Sequence, residues 1–145
     1  PEVMFQGSAS LVMDAKGRLT VPARHRDDLM EQCKGQLKLA RSLDGCLQLF
    51  PLPAWDAYSA KVAEWPMSAA QLKRIVLGHA ADIEMDGNGR ILVPPPLRAA
   101  GGLVKDVMML GMGKFFELWD AEQLAIKDKE ALAAGIPESL ANFTF

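Results

Sequence analysis

Two aspartates each stand four residues ahead of an arginine, with a glycine just before the arginine: Asp14 with Gly17 and Arg18, and Asp86 with Gly89 and Arg90. A guanidinium oriented by a neighbouring carboxylate can take a phosphate or a base edge through its remaining N–H groups. The same pair can also be a plain ion pair closing a turn, worth about 0 to 1 kcal/mol where exposed. Lys16 lies inside the first spacing. Arg24 and Arg26 follow in what reads as the first turn of a helix, where free backbone N–H groups favour phosphate. Arg98 holds the Arg26 position of the second copy. Solvated helix charge is the competing explanation for these, since Asp27 and Asp28 follow directly and blunt the field. Asp14 and Asp86 also invite comparison with the paired carboxylates of a hydrolase. Turn geometry accounts for both, and the chain carries no G-x-S-x-G, P-loop or H-E-x-x-H, so no enzymatic activity is expected. His25, His79, Cys33 and Cys46 lack ligand spacing, and neither a metal nor any other cofactor is expected.

What positions these side chains is a repeat. Residues 14–26 and 86–98 share the frame D-x-x-G-R-[L/I]-x-V-P-x-x-x-R, agreeing at seven of thirteen positions, so duplication makes the repeat the structural unit. Asp accepts local backbone hydrogen bonds and Gly17 or Gly89 supplies positive φ, which makes each spacing a tight turn. Short apolar runs precede each turn and alternating residues follow it, Leu19-Thr20-Val21 and Ile91-Leu92-Val93, so each copy reads as a hairpin. Pro22 and Pro94 end those strands and suit a first helical turn. A helix is expected over residues 22–33, closed by Gly35, and a second hairpin with a two-residue loop at Asp44-Gly45. Residues 53–65 read as a helix carrying Trp55, Tyr58 and Val62. Ser68-Ala69-Ala70-Gln71 has the form of a capping box ahead of Leu72, Ile75, Val76 and His79. The second copy offers a short helix to Ala100, strands over 107–110 and 115–119, and a final helix capped by Asp120 that fades near Gly135. The six aromatics Phe50, Trp55, Trp65, Phe115, Phe116 and Trp119 could form a stacking platform for single-stranded nucleic acid. They lie on apolar stripes without interleaved Lys or Arg, which favours packing.

The doubled frame resembles the MraZ family, a two-copy relative of the AbrB and SpoVT-type swapped-hairpin DNA-binding proteins. The likeness extends through Met4-Phe5, residues 49–55, Leu77-Gly78-His79-Ala80 and residues 116–120, and so covers nearly the whole chain. The resemblance implies an α+β, mainly β fold, in which two tandem β-α-β repeats form an intrachain pseudo-dimer with linking and C-terminal helices. Its expected divisions are a first repeat at 4–52, a helical linker at 53–80, a second repeat at 81–120 and a C-terminal helix and tail at 121–145. It further implies a bacterial transcriptional repressor of the division and cell-wall gene cluster. Such a protein binds direct repeats in double-stranded promoter DNA and assembles into a homo-oligomeric ring. The D-x-x-x-R element is the family's DNA-reading signature, so Lys16, Arg18, Arg24, Arg26, Arg90 and Arg98 are the candidate DNA contacts, supported by Asp14, Gly17, Asp86 and Gly89. The alternative is a ring-forming scaffold whose Asp–Arg turns are subunit-interface ion pairs.

Composition bounds these readings. The chain has 145 residues, half of them hydrophobic, enough for one packed core. Its net charge of −2 argues against a generally basic nucleic-acid binder. The charge is local, however: residues 14–26 hold four basic side chains and a single acid, Asp14. Two isolated cysteines fit reduced thiols. No apolar run approaches the roughly 20 residues that span a bilayer, so no membrane partner and a cytoplasmic location are expected. The regulator that the resemblance implies would be nucleoid-associated and would have no small-molecule substrate. Residues 1–3 read as non-native leader before Met4.

Overall fold

The computed structural model describes residues 3–143. Pro1 and Glu2 of the expected leader, and the last two residues of the expected tail, lie outside them. The elements run strand β1 (Ser8–Val12), β2 (Arg18–Thr20), helix α1 (Ala23–Cys33), β3 (Gln36–Arg41), β4 (Leu47–Pro51), helices α2 (Leu52–Ala63) and α3 (Ala70–Gly78), then β5 (Ala81–Glu84), β6 (Arg90–Leu92), α4 (Pro95–Gly101), β7 (Asp106–Gly111), β8 (Phe116–Asp120) and α5 (Ala121–Ala134). The second half thus repeats the strand-strand-helix-strand-strand order of the first, with α2 and α3 between the copies.

Pairing crosses the repeats. The main antiparallel sheet has the order β1-β7-β8-β4-β3-β5, and β2 pairs with β6 in a separate ribbon. β1 therefore completes the β7–β8 hairpin of the second repeat, with Ser10 opposite Met108, and β5 completes the β3–β4 hairpin of the first, with Ile83 opposite Leu37. The hairpins expected around the two D-x-x-G-R turns do not form as such. The strands flanking each turn separate and pair with the other copy, because only a second, similar unit can cover their apolar faces. The swapped pseudo-dimer that the resemblance implies is the arrangement observed.

The core fills the space between ribbon, sheet and the helices α1 and α4. Leu19 and Ile91 from the middle of the ribbon, with Val21 and Val93 just beyond it, meet Leu29, Leu37, Leu39, Leu47, Leu49, Leu97, Val107, Met109, Phe116 and Leu118, all buried. A second cluster packs α2 and α3 on the sheet through Phe50, Trp55, Val62 and Val76. Phe50 stacks on Tyr58 and Phe115 at 5.1 and 4.9 Å and meets Trp55 edge-on at 5.3 Å. Trp119 joins Cys46 and Leu124 beneath the start of α5. These aromatics are packing residues, as their apolar stripes indicate. Cys33 and Cys46 are free thiols, and burial pushes that of Cys46 up to about 12.

Three local expectations are corrected. The β3–β4 loop spans residues 43–45, one more than expected, because the closing pair is Ser42 N–H to Cys46 O at 3.0 Å. Ser68 caps no helix: it lies in a 3-10 turn at Met67–Ala69, and Ala69 stands at the start of α3 with no side-chain cap. On α3 only Val76 of the expected stripe is buried, and Leu72 is 44% exposed. Asp120 does cap α5, its Oδ2 accepting from Gln123 N–H at 3.0 Å. No helix among the described residues is long and apolar enough to cross a membrane.

Candidate nucleic-acid interface

Each D-x-x-G-R turn is closed from within. Asp14 Oδ1 accepts from the backbone N–H groups of Lys16 at 3.0 Å and Arg18 at 2.8 Å, and Oδ2 accepts from Arg18 Nε at 2.7 Å. Asp86 does the same with Asn88 and Arg90 N–H, both at 2.9 Å, and with Arg90 Nε at 3.2 Å. Gly17 and Gly89 complete the turns at φ +87° and +77°, a conformation that L side chains rarely adopt. The backbone N–H of Arg18, followed by its guanidinium, holds the Asp14 carboxyl below the usual 3.8. Asp86 is also lowered, first by the Arg90 backbone N–H. The carboxylates thus serve the turns, as the sequence frame indicates. Each pairing engages the guanidinium through Nε and leaves the two η nitrogens for another acceptor. Both arginine side chains stay about one third exposed, 33% for Arg18 and 35% for Arg90.

Beyond the turns the β2–β6 ribbon sets what faces outward. Arg18 lies opposite Leu92, Leu19 opposite Ile91 and Thr20 opposite Arg90. Strand alternation sends Leu19 and Ile91 into the core and puts Arg18, Thr20, Arg90 and Leu92 on the outer face. Arg18 and Arg90 are diagonal neighbours on that face, on the order of 7–8 Å apart. Thr20 and Leu92 escaped the reading of charged motifs. The signal for them was the alternation itself, which places any residue two steps from Arg18 or Arg90 on the arginine face.

Lys16 is exposed at the tip of the first turn, where the second turn has neutral Asn88. Exposed residues of the flanking strands differ too: Ser8, Ser10 and Val12 on β1, but Asp82 and Glu84 on β5. Asp82 and Glu84 share a cleft with Leu92 and Pro94, so acidic groups border the second repeat's side of the ribbon. Arg24 is exposed and reaches back to β1, its Nη2 donating to Ser8 O at 3.0 Å and its Nε to His25 Nε2 at 3.2 Å. His25 is buried between Phe5 and Phe116, with ring centroids 5.7 and 4.9 Å away. Desolvation, then the Arg24 charge, lowers its pKa from 6.5, with Asp28 opposing. His79 is exposed, and no cluster that could hold a metal occurs among the described residues.

Arg26 and Arg98 are placed differently from the other candidates. Arg26 Nε donates to Val21 O at 2.6 Å, and Arg98 Nε donates to Val93 O at 2.8 Å. Their guanidinium groups lie against the turn glycines of the opposite copies, Arg26 against Gly89 and Arg98 against Gly17. Spacing along the sequence carries no signal for this crossing, because it follows from the swap.

The family model described as "MraZ protein, putative antitoxin-like" matches residues 4–77 and again residues 76–134. Among curated proteins, the chain is 54% identical over 142 residues to a protein of Herminiimonas arsenicoxydans named transcriptional regulator MraZ, covering 98% of this chain and all of that one. Proteins of the same name from Janthinobacterium sp. (strain Marseille) and Bordetella pertussis are 53% and 52% identical over the same span.

Proposed function

That this chain belongs to the MraZ family is the premise from which we propose its function. It is a transcriptional regulator, in a family of regulators and not of enzymes, which sets aside the hydrolase reading of Asp14 and Asp86. More finely, it is a repressor of the bacterial division and cell-wall gene cluster that reads direct repeats in double-stranded promoter DNA. The observation that supports this best is the outer face of the β2–β6 ribbon, which presents two carboxylate-oriented guanidiniums beside Thr20 and Leu92. The major groove admits a two-stranded ribbon, arginine takes guanine O6 and N7 in a bidentate fashion, and an apolar side chain suits a thymine methyl. Lys16 at the tip of the first turn, and exposed Arg24 held to Ser8 O, would supply phosphate contacts that fix its register.

One chain presents two such turns on one ribbon, which alone would hold a short operator weakly. Neighbouring copies closed into a ring would align several ribbons with successive repeats, and avidity would then set affinity. The site of action is the nucleoid in the cytoplasm. Titration of the protein against a duplex carrying tandem copies from its own promoter region, at two salt concentrations, tests the reading. A log–log salt slope of several units is expected. Binding that ignores both salt and sequence would overturn it in favour of the scaffold. Light scattering should show a closed multi-subunit species, and a monomer at micromolar concentration with DNA binding intact would refute the ring.

A further inference from the structure

We propose that Arg26 and Arg98 are crossed positioning residues: each sets the shape of the D-x-x-G-R turn in the opposite repeat, so that each turn is presented to DNA in a form fixed by the other copy. The observation behind this is a closed set of contacts, made twice. Gly17 O accepts from Val93 N–H at 2.9 Å. Val93 O in turn accepts from Arg98 Nε at 2.8 Å, and the Arg98 guanidinium returns to lie on Gly17 itself. On the other side Gly89 O accepts from Val21 N–H at 2.8 Å, Val21 O accepts from Arg26 Nε at 2.6 Å, and the Arg26 guanidinium lies on Gly89. Each turn is thus gripped through its glycine by the strand end and the arginine of the other copy.

The chemistry explains why the frame ends in arginine. A planar guanidinium can donate from Nε to a carbonyl while its face rests on a backbone that has no Cβ; an ammonium on a flexible stem can do only the first. A Cβ at Gly17 would displace the Arg98 guanidinium, and one at Gly89 would displace that of Arg26, so the contact in this geometry favours glycine, as the positive φ does. Arg18 and Arg90 sit one residue beyond these glycines. A shift of either glycine therefore moves a ribbon-face guanidinium. The inference rests on the proposed DNA-reading role of the turns for its consequence, but not for its geometry.

The test uses the full chain and two readouts. Without DNA, amide hydrogen exchange is followed at Gly17 and Gly89, whose N–H groups donate to Asp14 O and Asp86 O, both at 3.0 Å. Arg98→Ala should speed exchange at Gly17 at least tenfold and leave Gly89 as it was, and Arg26→Ala should do the reverse. Arg98→Lys, which keeps the charge and is the gentler change should alanine unfold the chain, should show the same pattern as Arg98→Ala. With operator DNA, Arg98→Ala should cost about tenfold in affinity in the wild-type background and little once Arg18 is already alanine, whereas its cost should persist in an Arg90→Ala background. Unchanged exchange, exchange altered in the residue's own repeat, or wild-type behaviour of Arg98→Lys in both readouts would overturn the proposal. Normal operator binding by Arg18→Ala would instead overturn the DNA-reading role, with the exchange pattern still deciding the crossed positioning.

Discussion

Arg18 and Arg90 occupy equivalent places in equivalent turns, yet their surroundings differ in charge. Lys16 stands beside Arg18, while Asn88 holds the matching place beside Arg90 and Glu84 borders that side, next to Asp82 in its ion pair with Lys38. Arg18→Ala is expected to weaken operator binding at least tenfold, about 1.4 kcal/mol, and to lower the salt slope by about one unit with fold and assembly kept. Arg90→Ala should cost less in DNA binding and more in stability or assembly. Paired titrations with melting curves check this, and equal losses would mean that the two turns read alike. Acid should act on the turns themselves. Because the folded Asp14 and Asp86 carboxyls lie below 3.8, the stability they supply is full above that value and is lost as pH falls through the folded ones. A melting curve against pH should accordingly lose part of its acid limb in Asp14→Asn. His25 works in a different window. Its lowered pKa means that the unfolded chain takes up the proton first, so stability declines as pH falls below 6.5. His25→Leu, matching buried Leu97 of the second copy, should flatten that decline, and an undiminished slope would show that another group is responsible. Composition and spacing made Asp14, Arg18, Asp86 and Arg90 legible as turn pairs. They did not reveal that Arg26 and Arg98 face glycines of the opposite copy, since that contact exists only once strands have been exchanged.

At the level of elements, the junction from ribbon strand to helix is anchored by a fully buried valine in each copy. Val21 and Val93 are 1% and 0% exposed, and each donates its N–H across the swap to the opposite turn glycine. Val21→Asp or Val93→Asp should abolish folding, because an unpaired buried carboxylate costs several kcal/mol against a total stability of about 5 to 15. A soluble variant that still melts cooperatively would contradict this. Helix limits were largely readable, since proline opens α1 and α4 and a glycine follows each end, although the left-handed cap of α1 is Lys34, one residue before the expected Gly35, while Gly102 caps α4. Ser68 misled because a capping signature specifies a local hydrogen bond, whereas the chain leaving Trp65-Pro66 enters through a 3-10 turn that puts the serine one residue ahead of the cap position. The β3–β4 loop gained a residue for a related reason. Ser42 Oγ takes the Asp44 and Cys46 N–H groups, at 3.0 and 3.3 Å, and so widens a turn that Asp44-Gly45 alone would have closed more tightly.

For the molecule as a whole, alternating strands satisfy a local hairpin and a swapped one equally, so pattern alone read as local hairpins and only the family resemblance pointed to the swap. The swap also governs how the protein comes into being. Ser10 must wait for Met108, which emerges from the ribosome 98 residues later, and Arg18 must wait for Leu92. Until then β1 and β2 offer unpaired edges, and contacts this distant in sequence make folding slow, because loop closure precedes the burial that rewards it. A nascent first half beside another copy's first half has an equivalent strand within reach, and domain exchange between chains follows the same pairing rules as exchange within one. Cutting the gene between α3 and β5 should therefore yield halves that do not fold as monomers. Mixed together, they should recover the cooperative melting of the intact chain, as seen by circular dichroism. Either half folding alone as a monomer would deny the dependence. Held apart, the first half should form a homodimer in which two identical ribbon strands pair, a return to the single-copy arrangement from which a duplicated chain would have descended.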